Sequence, residues 1–102
     1  MNAANGPGSA CRLLVIGPTS DLSLFDRKEK WPAEFTAVEL LETSSSRRSW
    51  QFEATEPPLS CLRALSIRWP FLMFFLDYET ERTKGLASFR NGRVRHYRVA
   101  YP

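Results

Sequence analysis

Residues 50–79 read W-Q-F-E-A-T-E-P-P-L-S-C-L-R-A-L-S-I-R-W-P-F-L-M-F-F-L-D-Y-E. Trp50, Phe52 and Ala54 alternate with Gln51 and Glu53, the pattern of a strand with one buried and one wet face. Pro57-Pro58 then suits a helix start, where no backbone donor is needed. Leu59, Leu62 and Leu65 recur at three-residue spacing, with Cys61 and Trp69 nearby, and give a short helix with one apolar stripe. Pro70 stops it. Phe71 to Tyr78 form the most hydrophobic strand of the chain. Strand, helix and strand follow one another with their punctuation intact.

Upstream, Leu13 to Ile16 are a short apolar run closed by Gly17-Pro18, a buried central strand. Thr19 or Ser20 is placed to cap a following helix, and Asp21 falls in its first turn, where the macrodipole favours an acid. Leu22 and Phe25 share one face of that helix, and Pro32 marks its end. Residues 33–43 fit a helical period and an alternating one. Their context favours a strand, because Ser44-Ser45-Ser46-Arg47-Arg48 looks like a hairpin loop leading into the strand at 49–55. Downstream, Asn91-Gly92 is a strong hairpin signal, since both central positions of a type I′ turn need positive φ. It joins strands expected near 84–90 and 93–100.

The element order is β-α-β-β-α-β-β-β. Its first six elements match an α+β, ferredoxin-like split β-α-β sandwich, an antiparallel sheet with two helices on one face, extended by a C-terminal β-hairpin. Residues 1–9 are small, polar and rich in Gly and Pro and are expected to be a disordered arm. Residues 10–102 are expected to form a single domain.

Five blocks, in order, resemble the YubB-type ferredoxin-like proteins of conjugative plasmids and phages. Cys11-Arg12-Leu13-Leu14-Val15-Ile16-Gly17-Pro18 and Leu22-Ser23-Leu24-Phe25 are similar to that family's first strand and helix. Trp31-Pro32-Ala33-Glu34-Phe35-Thr36-Ala37 keeps the aromatic spacing and the alanine of its W-G-T-K-W-(N/D)-A signature, without the glycine, the lysine or the second tryptophan. Phe52-Glu53-Ala54-Thr55-Glu56-Pro57-Pro58 and Pro70 to Glu79, followed by Gly85, are similar to its later pattern. The resemblance covers about residues 11–95, lacks the insertion members usually carry after the first helix, and favours a strand at 35–43. It implies a bacterial ferredoxin-like domain borne on mobile elements. It supplies no catalytic residue, because the family has no established activity.

Composition bounds the function. The chain has 102 residues, 43% of them hydrophobic and 13% aromatic, enough to fill one core. No apolar run is long enough to span a membrane, so no membrane partner is expected. The N-terminus lacks a basic region followed by an apolar one, which points to a cytoplasmic protein. In that compartment Cys11 and Cys61 are expected to be small core residues rather than a disulfide. Residues 1–81 carry eight Lys/Arg against eleven Asp/Glu, whereas residues 82–102 carry Arg82, Lys84, Arg90, Arg93, Arg95 and Arg98 and no acid. The basic character is confined to the last fifth of the chain.

No constellation reads as catalytic, cofactor-binding or metal-binding. His96 is the lone histidine, and with Cys11 and Cys61 it cannot complete a zinc tetrad. A Cys–His nucleophile pair would need a core cysteine beside His96. Asp77, Glu79 and Glu81 alternate and would share one face, which reads first as a wet strand end. Gly17-Pro18-Thr19-Ser20 lies where a helix N-terminus attracts anions, but it matches no phosphate-loop pattern and reads as a helix cap.

Two surfaces remain. Phe71 to Leu76 is apolar on both faces while helices cover one, so the other face should meet the C-terminal hairpin, a second copy of the chain or another protein. The leading expectation is a non-enzymatic interaction domain acting through an open sheet face, most simply as a homodimer. The alternative is weak, sequence-tolerant binding of nucleic acid by Arg90, Arg93, Arg95, Tyr97 and Arg98, with Arg93 and Arg95 on one strand face, Arg98 on the other, and Tyr97 and Tyr101 placed to stack on bases.

Overall fold

The structure, a computed structural model, describes residues 8–102. Eight elements follow in order: β1 (Ser9–Ile16), α1 (Thr19–Lys28), β2 (Thr36–Thr43), β3 (Arg47–Ala54), α2 (Leu59–Arg68), β4 (Met73–Glu79), β5 (Thr83–Arg90) and β6 (Arg93–Ala100). The strands form one six-stranded sheet in the order β2-β3-β1-β4-β5-β6, and every neighbouring pair is antiparallel. The fold is α+β.

Period-two alternation decides which side chains enter the core. Cys11, Leu13 and Val15 on β1, Trp50, Phe52 and Ala54 on β3, Phe74, Leu76 and Tyr78 on β4, and Ala87 and Phe89 on β5 point to one face and are buried. Both helices pack there. From α1, Phe25 lies with its ring centroid 6.1 Å from Trp50 and 5.9 Å from Phe74. From α2, Leu62 and Leu65 join the same cluster. Asp21 in the first turn of α1 and Arg27 and Lys28 in its last complement the helix dipole. Phe35, just before β2, stacks on Phe52 at 4.2 Å and closes the core beside Trp31.

The hairpin at Asn91-Gly92 forms as expected. Both residues have positive φ, 48° and 84°, and the register runs from Arg90 opposite Arg93 to Thr83 opposite Ala100. The turn is tied to α2. The Gly92 N–H donates to Ser66 Oγ at 2.9 Å, and Arg63 Nε donates to the Gly92 carbonyl at 3.1 Å.

Three expectations change. Pro18, not Thr19 or Ser20, occupies the N-cap of α1, and the Thr19 hydroxyl instead donates to the Ser45 carbonyl at 2.6 Å, tying the helix start to the β2–β3 loop. Phe71 is 69% exposed rather than core. The turn after α2, in which the Leu72 N–H donates to the Trp69 carbonyl at 3.1 Å, delays the strand to Met73 and leaves Phe71 outside it. Of the arm expected over 1–9, residues 1–7 lie outside the described residues, and Ser9 opens β1 and is buried.

Candidate functional site

The side of the sheet away from the helices carries no element among the described residues. The C-terminal hairpin continues the sheet beside β4 and does not fold over that face. Register fixes what lies on it. One row runs Glu53–Ala10–Glu79–Lys84–Val99, the next Glu39–Gln51–Arg12–Asp77–Leu86–Tyr97, and the third Glu42–Ser49–Leu14–Phe75–Ser88–Arg95. Arg47, Ile16 and Met73 close the end, with Arg90 and Arg93 on the same side.

The middle of this face is apolar. Leu14, Ile16, Met73 and Phe75 are half-buried by their neighbours, and Leu86 is 54% exposed. Leu14, Phe75 and Leu86 floor a depression of about 600 Å³, rimmed by Arg12, Arg47, Arg95, Tyr97, Glu42 and Asp77. A second depression of about 570 Å³ continues toward Ala10 and is lined by Glu39, Glu53, Asp77 and Glu79 with Arg12 and Lys84.

The charges divide by edge. On the β2–β3 half, Glu39, Glu42 and Glu53 face out against Arg47 alone. On the β5–β6 half, Lys84, Arg90, Arg93 and Arg95 face out with no acid. Among the described residues the ion pair on this face is Arg47–Glu42 at 3.6 Å, between two half-exposed side chains. The four cations of the far half have no carboxylate within ion-pair distance there. The flank is therefore strongly positive, and field from it reaches a partner over roughly a Debye length of 8–10 Å.

The sequence-derived basic residues are only partly brought together. Arg90, Arg93, Arg95 and Tyr97 share the uncovered face, and Tyr97 is 67% exposed. Arg98, opposite Gly85, lies on the helix side, as its parity required. Tyr101 falls past the end of β6, and its hydroxyl donates to Glu79 Oε2 at 2.7 Å. That bond ties it to a carboxylate and raises its pKa, so it is not a free stacking platform. The sequence reading missed the opposite edge. Alternation alone would set Glu39 and Glu42, three residues apart, on opposite faces; the register shift between Leu40 and Glu42 brings both onto this face with Glu53.

The chemical constellations dissolve on the geometry. Cys11 lies on β1 and His96 on β6, three strands apart, roughly 14 Å at the usual strand spacing. Burial pushes the Cys11 thiol up to about 11, and burial also raises Cys61 on α2. Both thiols are free, and neither is poised as a nucleophile. His96 Nε2 is 2.6 Å from the Tyr78 hydroxyl, a structural bond. Asp77 and Glu79 do share the uncovered face, while Glu81 lies beyond the strand in the turn to β5. Among the described residues no group of three or more His, Cys, Asp and Glu is close enough to hold a metal ion. At Gly17, the backbone N–H that could meet an anion donates to the Ser46 carbonyl at 3.1 Å.

No helix among the described residues is long and apolar enough to cross a membrane. Comparison with known protein families, with curated proteins and with solved structures found no match.

Proposed function

We propose that the protein is a small interaction module whose docking surface is the uncovered face of the sheet. One observation carries this reading: a contiguous apolar centre of Leu14, Phe75 and Leu86 is left facing water, between an acidic and a basic flank. Antiparallel sheets tolerate one wet face, but such a face is ordinarily polar along its whole length. Apolar surface with a charged rim is the anatomy of a protein-binding patch.

The domain is read as ferredoxin-like. Support comes from the order β2-β3-β1-β4, in which β1 separates β3 from β4 and each helix bridges strands that are not neighbours. The quoted motifs further support a YubB-type domain of a plasmid or phage, acting in the cytoplasm of a bacterium. On that reading the module serves assembly, not catalysis.

The test is bis-ANS fluorescence at submicromolar protein, comparing wild type with Leu86→Glu. Both residues at this position sit on a strand surface, so the fold survives, as far-UV circular dichroism will check. Fluorescence that the substitution removes supports the surface. Equal fluorescence in both proteins, or none in either, contradicts it.

A second reading has its own observation. Arg90, Arg93, Arg95 and Tyr97 converge on one face with no acid on their half of it, a geometry suited to phosphate contact and base stacking. The acidic β2–β3 half limits it, because a strand of nucleic acid laid across the whole face would meet Glu39, Glu42 and Glu53.

A further inference from the structure

We infer that the uncovered face docks a second copy of this chain, related by a two-fold axis running along the strands between β1 and β4. This rests on the proposed docking surface and names its occupant. The argument is the arrangement of charge. A partner for this face must be apolar in the middle, basic opposite the β2–β3 half and acidic opposite the β5–β6 half. The chain's own face, turned about that axis, has this pattern.

The operation sets β1 over β4, β3 over β5 and β2 over β6 of the second copy. Register then decides the pairs. Leu14 meets Phe75 and Ile16 meets Met73, so the strip along β1 and β4 closes apolar on apolar, while Leu86 lies over Gln51. Glu53 meets Lys84, Arg12 meets Asp77 and Glu42 meets Arg95. Each pair occurs twice, as in any isologous contact. Arg47 over Arg90 is a like-charge meeting, at the rim where long side chains reach water. The alternative axis, across the strands, would put Glu39 over Glu42 and Arg90 over Lys84 and forfeits the complementarity.

The area is sufficient. Six strands about 4.8 Å apart, each about eight residues long at about 3.3 Å, present roughly 750 Å². A standard stable interface takes about 800 Å² from each partner. Sheets packed this way are aligned, near −30°, and about 10 Å apart, a distance that Phe75, Leu14 and the arginine stems fill.

Sedimentation equilibrium on the full chain tests this, with four variants. Wild type is expected to be dimeric at 0.1–0.2 mM. Arg95→Glu alone and Glu42→Arg alone each place two like-charge pairs in the contact and should weaken the dimer about tenfold or more. The double variant Arg95→Glu/Glu42→Arg restores the pairs and should recover most of the affinity. Arg90→Glu removes the clash with Arg47 and should tighten the dimer. A wild-type monomer at 0.2 mM overturns the second copy, as does a double variant no better than the worse single one. If that monomer still shows bis-ANS fluorescence removed by Leu86→Glu, the docking surface stands without a second copy. If it shows none, both readings fall.

Discussion

The Tyr78 ring lies across Gly85, its cross-strand partner, in the space a Cβ would occupy. Two strands then meet at an aromatic ring over a bare backbone, and the Tyr78 hydroxyl reaches past it to His96 at 2.6 Å. Tyr78 is buried and held at both ends, so it cannot swing aside freely. Gly85→Ala is expected to cost about 1–3 kcal/mol, as overpacking in a filled core does. Urea denaturation measures it. A variant as stable as wild type would show that the ring is free to move. Tyr78→Phe, which removes only the hydroxyl, should cost about 1 kcal/mol.

A carboxylate clamps the two helices. Glu29, just past α1, accepts from Trp69 Nε1 at 2.6 Å and from Arg68 Nη2 at 2.8 Å, both at the end of α2. Burial pushes this carboxyl up, but the bonds from Arg68 and Trp69 and the Arg68 charge outweigh it, and the net shift is below the ordinary 4.5. A lowered folded pKa means the clamp stabilises above the unfolded pKa and is lost as pH falls through the folded one. Arg68 is well exposed and its share is screened, so Glu29→Gln should cost only about 1 kcal/mol at pH 7. The gap between wild type and variant in denaturant midpoint should narrow from pH 5 to pH 3. Parallel curves over that range would contradict the clamp.

Ser66 joins α2 to the hairpin turn. Its buried hydroxyl donates to the Arg63 carbonyl at 2.7 Å and accepts the Gly92 N–H at 2.9 Å. Ser66→Ala leaves that N–H without its partner and should cost about 1–2 kcal/mol. Amide exchange at Gly92 should quicken in the variant. Unchanged exchange would mean the turn holds itself.

The order of elements was legible because each boundary is written in residues of fixed backbone behaviour: Gly17-Pro18, Pro57-Pro58, Pro70 and Asn91-Gly92. The core face of β3 followed from alternation at Trp50-Phe52-Ala54, whereas Phe71 to Leu76 is apolar at every position and its alternation singles out no face. Phe71 misled because apolar character does not say where a strand begins. The turn after Trp69 decides that. Residues 36–43 were ambiguous for a physical reason. The edge strand β2 is exposed throughout, and its register breaks between Thr36 and Glu39 and again between Leu40 and Glu42, with Ala37 at φ 53°. Such a strand has no buried face to impose a period, and its bulges turn the edge away from further pairing. Of the surface, the arginines of β6 were legible from parity. The acidic flank was not, since Glu39, Glu42 and Glu53 join Arg95 on one face only through six-strand register.

The thiols offer a control on burial. With its thiol pushed up to about 11 and its side chain buried in the core, Cys11 should resist iodoacetamide at pH 8. Cys61, half-buried on α2, should react faster than Cys11, and both should react at ordinary rates in denaturant. Mass spectrometry of timed digests reads the order. Cys11 modified first would place β1 elsewhere.

For nucleic acid, fluorescence anisotropy with single-stranded DNA should show weak binding at 20 mM salt that is lost at 150 mM. Arg93→Ala/Arg95→Ala should abolish it. Binding that persists unchanged in that variant would remove the basic flank from consideration.

The most direct measurement of the central claim is an NMR dilution series on the ¹⁵N-labelled chain, from 10 μM to 1 mM. The expected result is concentration-dependent amide shifts at Leu14, Phe75, Leu86, Ser88 and Arg95, with α1 and α2 unmoved. Shifts on the helices instead, or none anywhere, would contradict docking of a second copy on the uncovered sheet.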